Sequence, residues 1–285
     1  MRASEPRMVA GALRHVAERL AAAGVEAPTV DAEHLLAHVL RTTRAGLYAE
    51  SRRRLTEAER RALARLVARR ERREPLAYCL GEWGFRRLTL RVDARALVPR
   101  PETEVVVERC LALLRGRSEP RVLDVGTGSG AIALALADEH PGARVTAIDV
   151  SDGALALAAE NAALTGLAVE LRRHDLFTGL PAGPWDLVVS NPPYVQPGEI
   201  GALEPEVREW EPRGALVAEG ATEAVAVGAL AVLRPGGALV LEVADGDAHR
   251  VAGFLRELGY EEVQITTDLA GRDRVVSGLR SSGRA

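Results

Sequence analysis

Apolar positions along the first 75 residues recur with helical spacing. Between residues 7 and 23, Val9, Leu13, Val16 and Leu20 fall three or four apart on one face, and Gly24 supplies a stop. A second helix is predicted over residues 32–40, carrying Leu35, Leu36, Val39 and Leu40, with Thr29 or Asp31 as its cap. A third opens at Thr56, where Thr56 and Glu59 have capping-box spacing and Leu63, Leu66 and Val67 form the buried stripe. The pattern predicts a small helical bundle over residues 1–75.

Between Cys79 and Val98 the period shortens: Leu88, Leu90 and Val92 alternate with polar residues, which predicts a hairpin linker over residues 76–100. Pro99 and Pro101 mark the entry to a helix running through Leu114. From Arg121 onward, short apolar runs at residues 122–125, 145–148, 169–171, 187–189 and 239–243 read as strands, with helices over residues 132–137 and 154–164 between the first three. That alternation predicts parallel βαβ units in a doubly wound sheet, an α/β domain over residues 101–285.

Composition narrows the class. The chain has 285 residues, 47% of them apolar and 27% charged, a profile that excludes disorder and fibrous repeats and needs no cross-links to bury a core. Cys79 and Cys110 make neither a disulfide framework nor a metal cluster and are expected to fill apolar gaps in a reducing compartment. His34 and His38 stand four apart on one predicted helix, yet the six histidines show no metal-ligand pattern, so no metal is expected. The start MRASEPR has no apolar h-region. No apolar run reaches the roughly 18 residues of a membrane span, and a cytoplasmic protein is expected.

The net charge of −3 divides unevenly. Residues 1–100 carry 21 arginines against 12 acids, a balance of +9, and residues 101–285 carry 16 against 28, a balance of −12. Residues 51–74 alone hold ten Arg and four Glu. The run reads first as a solvated helix face and second as a docking surface for an acidic partner or RNA.

Two motifs carry chemistry. Asp124-Val125-Gly126-Thr127-Gly128-Ser129-Gly130-Ala131 ends the first strand of the α/β domain and opens a helix, so its glycines permit a tight turn and close approach of a ligand to helix N–H groups. Asp149 ends the second strand, where a carboxylate can accept both ribose hydroxyls of a nucleoside cofactor. Residues 126, 128 and 131 also satisfy the dinucleotide pattern G-x-G-x-x-A, which leaves NAD open at this loop. The second motif, Asn191-Pro192-Pro193-Tyr194, follows a strand directly, and its prolines freeze the turn. The Asn191 side-chain oxygen and the Pro192 carbonyl form two fixed acceptors suited to a planar NH2 group, and Tyr194 offers a flat face beside it. Hydride transfer has no use for that arrangement.

Gly126 to Gly130, Asp149 and the NPPY loop resemble class I S-adenosylmethionine (SAM) methyltransferases acting on amide or exocyclic amino nitrogens. More narrowly, the chain resembles the HemK/PrmC family, the glutamine methyltransferases of peptide chain release factors. Glu74-Pro75-Leu76-Ala77-Tyr78, residues 81–85, Val98-Pro99-Arg100-Pro101-Glu102-Thr103-Glu104, Glu211-Pro212-Arg213 and residues 268–275 look like family segments in family order. The resemblance implies a seven-stranded Rossmann-like methyltransferase domain behind a substrate-docking bundle, with SAM as methyl donor and release factors as protein substrates. It implies cofactor contacts from Gly126, Thr127, Gly128, Ser129, Gly130, Asp149, Asn191 and Leu176, the last in the adenine pocket with Asp175 and Phe177. Asn191, Pro192 and Tyr194 would be catalytic, and Pro193 would join them in holding the glutamine. The other readings are a nucleic-acid adenine methyltransferase, against which the acidic catalytic half stands, and a nicotinamide-dependent oxidoreductase or nucleotide-binding module.

Overall fold

Five helices with one apolar face each build the first unit: α1 (Val9–Ala22), α2 (Pro28–Leu40), α3 (Arg44–Ala49), α4 (Glu57–Arg70) and α5 (Leu76–Leu80). Their buried stripes, Val9, Val16, Leu20, Leu35, Leu36, Leu63 and Val67 among them, meet in one core. The computed structural model describes residues 7–282. The first six and last three residues, which the sequence reading places at the ends of the bundle and of the α/β domain, lie outside the described residues. The capping box of α4 is formed: Thr56 Oγ1 accepts from the Glu59 N–H at 3.2 Å, and Glu59 Oε2 accepts from the Thr56 N–H at 2.8 Å.

The expected cap of α2 is corrected. Helix α2 starts at Pro28, which has no N–H to leave unsatisfied in the first turn, so Thr29 and Asp31 lie inside the helix. Asp31 is instead buried as an ion-pair partner, accepting from Arg70 Nε at 2.6 Å. Arg70 also reaches Glu206 at 2.7 Å, and Arg73 grips the same carboxylate with Nε and Nη2, both at 2.6 Å. Glu206 lies on α9 (Pro205–Trp210), so this first unit comprises the described residues through Gly81 together with Glu204–Trp210.

The second unit comprises Glu82–Leu203 and the described residues from Glu211 onward. It opens with an antiparallel hairpin, β1 (Glu82–Phe85) and β2 (Leu88–Arg91), followed by α6 (Pro101–Leu113). Then come β3 (Arg121–Val125), α7 (Ala131–Glu139), β4 (Arg144–Asp149), α8 (Asp152–Thr165), β5 (Glu170–Arg173) and β6 (Trp185–Ser190). After α10 (Arg213–Leu216), the chain adds α11 (Ala221–Val232), β7 (Leu233–Glu242), α12 (Ala248–Glu257), β8 (Tyr260–Thr267) and β9 (Asp273–Arg280).

The seven-stranded sheet has the order β5-β4-β3-β6-β7-β9-β8. Its first five strands are parallel, as the βαβ alternation requires, but β9 runs antiparallel to both β7 and β8. The sheet is therefore mixed: the predicted parallel βαβ units are present and one antiparallel strand joins them. Asp268 explains the reversal: its Oδ1 accepts from the N–H groups of Ala270 and Arg272 in the turn joining β8 to β9, and a short turn joins only antiparallel neighbours. One sheet face packs on α6 and α7 through Val106, Cys110, Ile132 and Leu136. The other packs on α11 and α12 through Val225, Ala229, Val251 and Leu255. Cys79 and Cys110 are buried and free.

The ion network of the first unit sets a stability test. Arg70→Ala leaves the buried Asp31 carboxylate without its partner and removes one of Glu206's two arginines, an expected loss of about 3–5 kcal/mol to be measured by chemical denaturation.

Candidate active site

The chemistry-bearing residues gather where parallel strands end at one level. Val125, the last residue of β3, pairs with Ile148 on β4 and with Ser190 on β6, and Ser190 in turn pairs with Leu241 on β7. Neighbouring strands lie about 4.8 Å apart, so Gly126, Asp149, Asn191 and Glu242 follow these pairs side by side. Strand order turns at β3, between β4 and β6, which is the switch point where such sheets bind ligands. Ser190 Oγ ties the two strand ends by donating to the Val125 carbonyl at 2.7 Å.

The glycine loop adopts a shape that side chains resist. Gly126, Gly128 and Gly130 have φ of +74°, +56° and +84°, the left-handed region that glycine enters without steric cost. A Cβ on Gly130 would lie 3.2 Å from Ala158 Cβ and 3.2 Å from Leu134 Cδ1, so this glycine lets α7 pack on α8, whereas a Cβ on Gly126 would face open space. Asp149 fixes the loop: its Oδ2 accepts from the Gly128 N–H and its Oδ1 from the Ser151 N–H, both at 2.9 Å. A carboxylate has about four acceptor positions, so capacity remains on Asp149 for ligand hydroxyls. Asn161, wholly buried on α8, anchors the far side by donating to the Ser129 carbonyl at 2.9 Å while bonding the Arg91 backbone in both directions. Sequence inspection missed this residue, since an Asn inside a helix gives no signal of its distant partners.

Asp124 was also missed as a site residue. Its side chain is fully buried at the end of β3; Thr127 Oγ1 donates to Oδ2 at 2.7 Å, while Oδ1 is buried without a hydrogen-bond partner among the described residues. Burial pushes the Asp124 carboxyl up to about 7, against the bonds from Thr127 and the Ala133 N–H and with added repulsion from Asp149. A buried carboxyl oxygen of this kind beside a glycine loop fits a cationic ligand group.

The NPPY loop leaves β6 with Pro192 buried and Asn191, Pro193 and Tyr194 half-buried. Asn191 Nδ2 faces Thr103 Oγ1 at 3.4 Å, and Thr103 Oγ1 donates to Glu242 Oε2 at 2.7 Å. Thr103 and Glu242 are both buried. Burial pushes Glu242 up to about 7, opposed by the Thr103 hydroxyl, Arg274 and the Asn191 side chain and reinforced by Glu102. The Tyr194 hydroxyl is raised to about 12 by burial and by Glu242, so it stays neutral and cannot serve as a base near pH 7.

Leu176 sits in a single helical turn after β5 that Asp175 caps by accepting from the Phe177 N–H at 2.9 Å. Its side chain packs partly against the α11–α12 core, while Phe177, 56% exposed, and Val150, 58% exposed directly after Asp149, present apolar surface outward. The structure brings the glycine loop, Asp149 and the NPPY loop together and sets Leu176 on the outermost parallel strand's loop.

Two family models match the chain: the PrmC N-terminal domain over residues 11–81 and the methyltransferase small domain over residues 104–205. A release factor glutamine methyltransferase of Deinococcus radiodurans is 45% identical over 278 residues, covering 95% of this chain and 98% of that protein. A protein of the same description from Cereibacter sphaeroides is 45% identical over 280 residues, covering 94% and 97%. Among solved structures, the hMettl16 catalytic domain in complex with an RNA hairpin has a TM-score of 0.53 at 18% identity, covering 68% of this chain and 76% of that one, a likeness of fold alone.

The two raised carboxyls predict a pH effect on the unliganded protein. Asp124 and Glu242 hold protons more tightly folded than unfolded, so their contribution is fully present below the ordinary carboxylate range and is lost as pH rises through about 7. Denaturant unfolding should show stability falling from pH 5 to pH 8, and Asp124→Asn should make that fall shallower.

Proposed function

This chain belongs to the release factor glutamine methyltransferase family, and from that premise we propose how its own residues carry SAM-dependent methylation of a release factor glutamine. The acceptor is the side-chain amide nitrogen of the glutamine in the factor's Gly-Gly-Gln loop. When bound, SAM supplies an electrophilic methyl group on a sulfonium. The residues at the strand edge fit it: Gly126 to Gly130 offer backbone, with open space at Gly126, Asp149 has free acceptor positions for the ribose, and Leu176 with Phe177 offers apolar surface to the adenine. The unpartnered Asp124 Oδ1 suits the cationic amino group.

An amide nitrogen is a poor nucleophile because its lone pair is delocalised into the carbonyl. Geometry must compensate. Asn191 Oδ1 and the Pro192 carbonyl accept the two N–H bonds, hold the nitrogen in line with the methyl group and stabilise the positive charge that develops on it. Pro193 keeps the loop rigid, and the neutral Tyr194 ring flanks the amide plane. No strong base is required, since the proton becomes acidic only after methylation. The observation that carries this reading is the Asn191 amide, whose nitrogen end is turned to Thr103.

The helical unit docks the substrate protein. Much of its basic run is neutralised internally: Arg53 pairs with Glu59, Arg69 with Glu74, and Arg70 and Arg73 with Glu206. Arg52, Arg54 and Arg65 are exposed and form no ion pair among the described residues, and they supply the positive surface. A cytoplasmic location follows from a translation factor as substrate. No described helix is long and apolar enough to cross a membrane.

Incubation with labelled SAM, purified release factor and total nucleic acid tests the function: label is expected in the factor and not in a variant whose loop glutamine is replaced by Glu, and label in RNA or DNA would overturn it. Asn191→Ala should retain the fold and most SAM affinity while lowering kcat about a hundredfold, the effect of losing about 3 kcal/mol of preorganised hydrogen bonding. Replacing Arg52, Arg54 and Arg65 together by Glu should raise KM for the intact factor and leave KM for a short loop peptide unchanged.

A further inference from the structure

Glu242 and Thr103 lie behind the NPPY loop and make no direct approach to the acceptor in the proposal above. Their hydrogen bonds nevertheless have a direction. A threonine hydroxyl owns one proton and two lone pairs. With its proton given to Glu242 Oε2 at 2.7 Å, Thr103 Oγ1 can only accept from Asn191, and only the NH2 end of that amide can face it. The planar amide then has its Oδ1 on the opposite arm, available to the acceptor. We propose that Glu242, acting through Thr103, is a positioning residue that keeps the Asn191 oxygen turned toward the glutamine to be methylated.

Ionised Glu242, which can only accept, enforces this direction. Once protonated, Glu242 can donate to Thr103 Oγ1, Thr103 donates onward, and Asn191 must turn its oxygen inward to accept. Its NH2 group then confronts the two N–H bonds of the substrate amide, donor against donor. The proton on Glu242 thereby decides whether the site presents an acceptor or a donor.

Several groups surround Glu242 and set the balance. Glu102 on α6 opposes ionisation; Arg274 at the start of β9 favours it, while its own neighbour Asp268 lies 3.6 Å away. From the loop side come Asn191 and the neutral Tyr194. The Thr103 bond favours the charged form, and burial acts the other way, bringing Glu242 to about 7. A carboxyl held near 7 can change charge close to neutral pH.

This inference rests on Asn191 as the amide acceptor, and the experiment separates the two. The measurement is kcat against pH from 5.5 to 8.5, with SAM and release factor both saturating. The native enzyme should lose kcat as pH falls through about 7. Glu242→Gln, which cannot titrate, should lose that acid limb, and Thr103→Val, which removes the hydroxyl facing the Asn191 amide nitrogen, should weaken it while lowering kcat about tenfold at pH 8, the effect of one hydrogen bond. Thr103→Ser keeps the hydroxyl and should restore both the rate and the limb, whatever the folding of the valine variant. KM for SAM should stay unchanged throughout. An acid limb that persists in Glu242→Gln, or a Thr103→Ser enzyme without it, overturns the relay; full activity of Asn191→Ala would instead overturn the acceptor role on which it rests.

Discussion

The register that ends β3 between β4 and β6 is the constraint on which this molecule's chemistry depends. Val125 is paired on both sides, with Ile148 and with Ser190, and the Ser190 hydroxyl bonds its carbonyl. A slip of one residue in either ladder would exchange the two faces of a strand. On β6 it would turn Val189 outward from its core and carry Asn191 away from the glycine loop. The apolar packing of Leu123, Val125, Val188 and Leu187 against helices on both faces therefore fixes, as a by-product, the spacing between a cofactor loop and an acceptor loop.

How much of this was legible in the sequence depended on where each residue finds its partner. Strands β3, β4, β6 and β7 are buried on both faces and appear as apolar runs. Strand β8 exposes Glu261, Glu262 and Gln264 and gives no such run, so neither it nor its partner β9 emerged from the pattern alone. The glycine and proline loops were legible because backbone freedom and rigidity are written into residue type. The segment from Arg100 to Glu104 was visible as a string without reasons. Its reasons are remote: Arg100 pairs with Glu211, Glu102 with Arg272, Thr103 with Glu242, and Glu104 accepts from the Arg86 N–H. The Thr103–Glu242 pair spans 139 positions. No local pattern could announce it.

The site edge also departs from what stability alone would select. Two carboxyls, Asp124 and Glu242, are held where burial opposes their charge, and three glycines occupy conformations that most residues avoid. Local rules are broken together at one strand edge, as is usual where a fold supports a reactive site. Asn161 keeps the arrangement rigid by satisfying backbone groups of the hairpin and of the glycine loop with one side chain.

The short helix α9 has a consequence for how the protein is made. The ion cluster of Asp31, Arg70 and Arg73 is completed by Glu206, and Trp210 Nε1 donates to the Arg72 carbonyl at 3.3 Å. When Gly81 has left the ribosome, the first unit lacks these partners, because Glu204–Trp210 is translated about 120 residues later. At about 5–20 residues per second the interval is roughly 6–25 s. The amino-terminal unit is thus a structure finished by the middle of its own chain, and synthesis alone delays its completion until the glycine and NPPY loops already exist.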